Sequence, residues 1–558
     1  MVKRKHIVYL VLLVAGSVLL GGCGSGGNAA AKRSITTGDL AEDIAVLSSD
    51  EFEGRAPASK GEELTIQFLK AEFEKLGLAP GNRDSYFQGV PLVEMTPDPG
   101  SGLVIWGDAT TTRLIYRREY VAWTKRVVTK TSLDRSDLIF AGYGVVAPEY
   151  DWNDYEGLDV RGKTVVLLVN DPGYATGDST LFNGRTMTYY GRWTYKFEEA
   201  ARQGAEGAVI IHETGPAGYP WEVVRNSWTG PQFDLVVEDN NLSSCAVEGW
   251  IAEEIARDLF SLGGHDFDAL KAQAATRNFQ PAPLNLRISL TLTNTIRRST
   301  SNNVLALLPG RNRPDEVVIY MAHWDHLGID LSLRGDQIYN GALDNTTGVA
   351  GLLEMAEAFS GLRRRPARSV LFLAVTAEER GLLGSRYYAT HPVFPLEKTV
   401  AVMNMDGLNV FGPMKDVTVI GYGNSELDDY VLAAARRQRR KVRPDPEPEK
   451  GSFYRSDHFS FAREGVPALY LDSGVDHVEH GEAWTREQMD KYTAERYHKI
   501  SDEYDPAWDL SGMVDDLRLL FTIGRRLSER RTFPNWREGN EFRARREAQM
   551  KGGEAGED

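Results

Sequence analysis

Cysteine is nearly absent from these 558 residues, which contain only Cys23 and Cys245. A disulfide-built scaffold is therefore excluded, and stability has to come from packed cores. Long apolar runs are equally scarce. The run Ile7 to Leu20 is short for a bilayer span, and nothing after it is longer. Positive charge is in deficit as well. A formal net charge of −15 argues against a nucleic-acid partner, whose phosphates would be repelled. What remains is ordinary globular material, 42% apolar and 26% charged. The length suits about two to four domains.

The first residues are expected to be a leader. Lys3, Arg4 and Lys5 precede the apolar run, which ends in Leu20-Gly21-Gly22-Cys23. Small residues before a cysteine resemble a bacterial lipobox. That resemblance implies a signal peptide over 1–22, a lipid on Cys23 and a flexible tether over 23–35. It places the chain in the cell envelope, at the periplasmic face of an outer membrane, or outside the cell.

Three blocks follow. Residues 36–97 carry two amphipathic helical patterns, Asp39 to Leu47 and Glu62 to Leu76, with Leu64, Phe68, Leu69, Phe73 and Leu76 at helical spacing. Residues 98–298 hold short strand-like runs at 138–140, 164–169 and 207–211 and a helix at 196–203. In this block His212 and His265 are isolated, so no metal cluster is expected there. Residues 299–534 alternate strand-like runs with helical patterns, the signature of an α/β domain with a mainly parallel sheet. Residues 535–558 read as a charged C-terminal tail.

The chemistry concentrates in the third block. His323 directly follows the apolar run Val317 to Ala322. Glu378-Glu379 follows Ser369 to Val375, and Asp406 follows Thr399 to Met403. Strand C-terminal ends gather on one edge of an open α/β sheet, so these residues are expected to converge. Asp344 sits in a polar loop opening a helix near Val349, where backbone amides and the helix dipole favour a carboxylate. With His498 the inventory is two imidazoles and three carboxylates, plus Glu378 left over, which suits a two-zinc hydrolase with its own base. His326 competes with His323, and His458, His477 and His480 compete with His498.

The order His-x-Asp, Gly-Ala-x-Asp, Glu-Glu-x-Gly-Leu-x-Gly-Ser, Asn-x-Asp and a late Tyr-His before an Asp resembles metallopeptidase family twenty-eight, the co-catalytic zinc aminopeptidase family. Phe140 to Gly144 and Val160 to Val166 resemble an inserted protease-associated domain, and Ser48 to Arg55 resembles the segment before such an insertion. The resemblance implies a zinc-exopeptidase fold, a central mainly parallel mixed sheet flanked by helices, with a β-rich insertion. It implies two Zn2+, one held by His323 and Asp406, the other by Glu379 and His498, with Asp344 bridging. Glu378 becomes the general base. Asp325 would fix the tautomer of His323, and Asp502 would support His498. Asp457, His458 and Tyr454 fall near the substrate.

The expected activity is that of an aminopeptidase acting on peptides. Carboxypeptidase or glutaminyl-cyclase-like chemistry on the same scaffold, or a non-catalytic binding protein, remain the alternatives. Oligomeric state is not legible.

Overall fold

The computed structural model describes residues 25–100, 102–108 and 110–554, so the leader and Cys23 lie outside the described residues. No helix among them is long and apolar enough to cross a membrane. The chain divides into two compact units. Among the described residues, one comprises 25–89, 301–444 and 457–554, the other those of 90–300 and 445–456. Residues 445–456 thus group with the second unit, although the sequence assigned them to the block 299–534. The second unit also begins earlier than residue 98, because strand Phe87–Asp98 pairs its residues 92–95 antiparallel with Gln232–Leu235.

The first unit is built on a mixed sheet. Strand Arg313–His323 lies between Arg368–Val375 and Thr399–Asn404, parallel to both. Beyond Thr399–Asn404 come Ala468–Asp472 (parallel), Asp416–Ile420 (antiparallel) and Lys441–Pro444 (parallel to the last). On the other side, residues 304–308 pair antiparallel with Arg368–Val375, and Ala79–Pro80 closes that edge.

The strands read as unbroken apolar runs because both faces are covered. Val318, Tyr320 and Ala322 join one core with Val370, Phe372 and Ala374. Val317, Ile319 and Met321 join the opposite core with Leu371, Leu373 and Val375. Side chains alternate with period two, so one strand feeds two cores. Helices Thr37–Leu47, Lys60–Lys75, Thr347–Ser360, Leu427–Gln438 and Ser511–Glu529 contribute to the larger core.

Two terminal segments are more ordered than expected. Residues 25–34 of the presumed tether form the helix Ser25–Ser34. It is held because Ala31 and Ile35 are buried and Arg518 donates to the carbonyls of Lys32 (2.9 Å) and Ile35 (3.1 Å). The charged tail packs as well. Trp536 is fully buried and donates to the Gly465 carbonyl at 2.8 Å. Arg546, on helix Arg543–Glu554, donates to the carbonyls of Leu396 and Thr399.

In the second unit, strands Lys130–Phe140, Thr164–Leu168, Gly207–His212 and Val247–Ala252 run parallel in that order. Residues 282–293 and Tyr120–Trp123 flank them antiparallel. Apolar clusters cover both faces.

One buried acid of the first unit makes stability depend on pH. Glu354, on helix Thr347–Ser360, is only 2% exposed and accepts the Thr36 N–H at 2.8 Å. Burial pushes its pKa up to about 8, and Glu357, Asp39 and Asp43 push the same way. Asp43 is likewise raised to about 7, by burial and then by Glu72 and Glu42. The folded chain therefore holds protons that the unfolded chain releases above the ordinary carboxylate range. Their contribution is complete below that range and is lost as pH rises through about 7 to 8. Glu354→Gln is expected to raise thermal stability above pH 8 and to flatten its fall with pH. The gain is on the order of 1–3 kcal/mol, measured by melting across a pH series.

Candidate metal centre

The three parallel strands deliver their acids and imidazole to one edge of the sheet. His323 is the last residue of its strand, level with Val375, and Glu378 comes three residues after Val375. Asn404, level with Met321, precedes Asp406 by two residues. Asp344 lies in the turn Ala342–Thr346 that feeds helix Thr347–Ser360.

Asn345 clamps the loops of Asp344 and Asp406 together. Its amide donates to the Met405 carbonyl (3.1 Å), and its oxygen accepts the N–H groups of Gly348 (2.9 Å) and Gly407 (3.1 Å). Position 348 must be glycine, since a Cβ there would stand 2.4 Å from both Asn345 Oδ1 and the Met405 carbonyl. His498 sits in the left-handed region (φ 56°), uncommon for a residue with a side chain, and stacks on Tyr497 with ring centroids 3.9 Å apart.

Nε2 of His323 lies 3.2 Å from Asp406 Oδ1 and 3.3 Å from Asp344 Oδ1. Nε2 of His498 lies 3.1 Å from both Asp344 Oδ2 and Glu379 Oε2. Asp344 therefore presents one oxygen to each imidazole. Two triads can converge on an ion with donor atoms within 4.8 Å of one another: His323, Asp344 and Asp406, and His326, Asp344 and Glu379.

The second triad brings in His326, which the sequence placed as a rival of His323. It is fully buried, and its Nδ1 is 2.6 Å from Glu379 Oε1. Glu379 thus faces His326 with one oxygen and His498 with the other.

The site is short of cations. Asp325, Asp344, Glu378, Glu379, Asp406, Asp457 and Asp502 influence one another's charge here, and Arg55 is the buried guanidinium among them. Burial opposes charge on His323, yet Asp406 and Glu378 hold its pKa well above the usual imidazole value. His498 is raised to about 10 against burial by Glu379 and Asp344. Burial and Asp344 oppose ionisation of Glu379, but His498 and His326 hold it at about 2. Asp344 is likewise driven far below the carboxylate range, against burial, by bonds from His323 and His498. The imidazoles hold protons that a dication would displace, and imidazole nitrogen with carboxylate oxygen is a donor set that suits zinc. The residues fit bound metal.

Glu378 belongs to neither triad. It is half-buried, and burial drives its pKa well above the usual value, with Asp406, Glu379 and Asp457 adding to the rise against His323.

Two expected supports act differently from the sequence reading. The closest acceptor to His323 Nδ1 is the main-chain carbonyl of Asp325 at 3.1 Å, with its carboxylate at 3.8 Å. That carboxylate instead accepts the N–H of Glu378 at 3.0 Å and so positions that residue's main chain. Asp325 is fully buried, and burial raises its pKa to about 6. Asp325→Ala is expected to weaken metal retention by about 10- to 100-fold, read by competition with a chelator. Asp502 serves the Asp344 loop rather than His498. Its carboxylate accepts the N–H groups of Leu343 and Asp344 at 3.2 Å, and Tyr492 donates to it at 3.2 Å.

Asp457 and His458 are both fully buried, where helix His458–Arg463 begins. Burial lifts Asp457 to about 7, with Asp406 and Asp325 adding to the rise. The His458 ring lies 5.0 Å from that of Tyr470. Tyr454 belongs to the second unit, its ring 6.2 Å from Tyr189.

Arg55 was legible only as part of a motif. Its guanidinium donates to the carbonyls of Trp324 (3.0 Å), Leu47 (2.8 Å), Asn340 (2.7 Å) and Gly341 (3.0 Å), which tie down the loops on either side of the site.

The chain shares 30% identity over 159 residues with mouse aminopeptidase NAALADL1, covering 28% of this chain and 19% of that protein. It shares 28% over 181 residues with leupeptin-inactivating enzyme 1 of Streptomyces exfoliatus, covering 32% of this chain and 37% of that one. The match thus spans well under half the length of either relative. Among solved structures, the aminopeptidase from Aneurinibacillus sp. strain AM-1 superposes at a TM-score of 0.49 with 18% identity, over 88% of this chain and 94% of that one. Residues 303–522 match Peptidase family M28, and that segment contains His323, Asp344, Glu378, Glu379, Asp406 and His498. Residues 303–522 are thus similar to peptidase family M28 over the segment that holds the candidate site.

Proposed function

We propose that the protein is a two-zinc exopeptidase of the cell envelope, an aminopeptidase held at a membrane by a lipid on Cys23. The observation that carries the catalytic reading is Asp344, which offers one carboxylate oxygen to each of two imidazoles 3.1–3.3 Å away.

His323 and Asp406 would hold one zinc, Glu379 and His498 the other, and Asp344 would contact both. His326 is read as the residue that orients Glu379, because its Nδ1 is committed to Oε1 while His498 points Nε2 between two carboxylates. A zinc pair supplies positive charge that acidifies a water and polarises a carbonyl.

The chain's own residues do the rest. Glu378, placed through the Asp325 bond to its N–H, takes the proton of the attacking water and delivers it to the leaving amine. A carboxyl group whose pKa burial has raised is suited to both halves of that transfer. Arg55 and Asn345 keep the loops in register, so the reacting groups meet without reorganisation.

The test is a substrate panel. Free N-terminal peptides and aminoacyl anilides should be cleaved, and N-acetylated peptides should not. Cleavage of N-blocked peptides from a free C-terminus would make it a carboxypeptidase. Cyclisation of glutaminyl peptides without hydrolysis would make it a glutaminyl cyclase.

A further inference from the structure

The chain as a whole carries a net charge of −15, yet one groove of the first unit is basic. It has a volume of about 720 Å³ and lies between helices Ser25–Ser34, Leu427–Gln438 and Ser511–Glu529. Lys32, Arg437, Arg525, Arg526 and Arg530 line it against a single acid, Glu529.

That acid is already taken. Glu529 pairs with Arg525 and, at 2.9 Å, with Arg311. Lys32, Arg437, Arg526 and Arg530 pair with no carboxylate among the described residues. Arg526 and Arg530 are gathered on the ring of Tyr430, 5.0 Å and 5.9 Å from its centroid. Like charge so concentrated disfavours the protein alone and favours an anion. Burial and then the neighbouring Arg437 and Arg518 hold the pKa of Lys32 below its usual value.

The position of the groove narrows the choice of anion. Lys32 stands seven residues into a helix that begins at Ser25, about 10 Å along its axis. Gly24 adds one further link to Cys23, so two peptide steps of about 3.6 Å separate Cys23 from Ser25. Lys32 is therefore within about 18 Å of Cys23 along the chain. The helix is fastened to the domain by buried Ala31 and Ile35, so this face follows the anchor.

We propose that this groove binds the phosphate of anionic phospholipid headgroups at the membrane to which Cys23 is attached. The proposal rests on the lipoprotein reading of Cys23. Headgroup binding would fix one face of the catalytic domain against the bilayer, which attachment at one residue alone does not do.

The test uses the protein from Gly24 onward, which keeps every described residue and carries no lipid. It should co-sediment with vesicles of phosphatidylglycerol and phosphatidylcholine in equal parts, release with salt, and ignore pure phosphatidylcholine. Arg526→Gln combined with Arg530→Gln should weaken the binding about 30-fold, from roughly a fivefold loss per cation. Lys32→Gln combined with Arg437→Gln should do the same, and both pairs should hydrolyse a soluble anilide at the parental rate, which shows that the fold is intact.

Equal binding to both kinds of vesicle, or undiminished binding by either pair, would overturn the proposal. So would inorganic phosphate saturating the groove with no preference for vesicles, which would make it a free-anion site. The mass of the N-terminal fragment from cells reads the anchor separately. An unmodified Cys23 refutes the anchoring reading, whatever the vesicles show.

Discussion

Glu378→Gln is expected to retain the metals and to lose turnover by about 10²- to 10⁴-fold, the span of a general base. The side chain is nearly isosteric and stands outside both metal triads, so the ligand atoms keep their partners. Its main-chain N–H donates to the Asp325 carboxylate at 3.0 Å, a bond that does not use the substituted side chain and survives the change. What disappears is the carboxylate that the proposed mechanism uses to carry a proton from water to the leaving amine. Parallel measurement of metal content and kcat separates this from loss of the site. Unchanged turnover would remove Glu378 from the mechanism, and lost metal would make it a ligand.

Arg55→Ala is expected to lower stability by about 3–5 kcal/mol, the cost of breaking a buried ionic network from one side. The guanidinium is 1% exposed and satisfies four main-chain carbonyls, three of them in the loops that carry the site. Burial brings its pKa down to about 10, even with Asp325, Asp502, Asp344 and Glu379 supporting its charge. Removing it strands the carbonyls and the acids together. Arg55→Lys restores the charge but not the fork that reaches both sides, so it should recover only part of the loss. Denaturant unfolding of the two variants checks this, and a loss under about 1 kcal/mol in Arg55→Ala would show that water or neighbours replace the guanidinium.

Much of this was legible beforehand, for identifiable reasons. Runs such as Val317 to Ala322 end on candidate ligand residues because a doubly covered strand needs apolar residues on both faces, so the first polar residue marks its end. Helix Ser511–Glu529 shows a wide apolar stripe of Met513, Leu517, Leu520 and Ile523, which is readable from spacing alone. Helix Gly481–Glu495, which leads to His498, buries only Thr485 and leaves no such stripe to read. The composition of the tail shows only its charge. Arg546 nevertheless goes inside, where its bonds are to carbonyls, which carry no sequence signature.

The same limit explains Asp325, Asp502 and His326. Residue type announced an acid or an imidazole near the site, but not which hydrogen-bond partner it would choose. Asp325 turned to the Glu378 amide and Asp502 to the Leu343–Asp344 amides, both set by loop geometry that spacing does not encode. The grouping of Tyr454 with a remote stretch of chain is likewise tertiary information.

The decisive measurement is zinc content and anilide hydrolysis on the same purified sample, before and after chelation, with the metal then returned. Two zinc ions per chain, activity that falls with their removal and recovers on return, and one zinc or fewer in Asp344→Ala are the expected results. Full activity in a metal-stripped protein would contradict a shared carboxylate between two cations as the heart of this site.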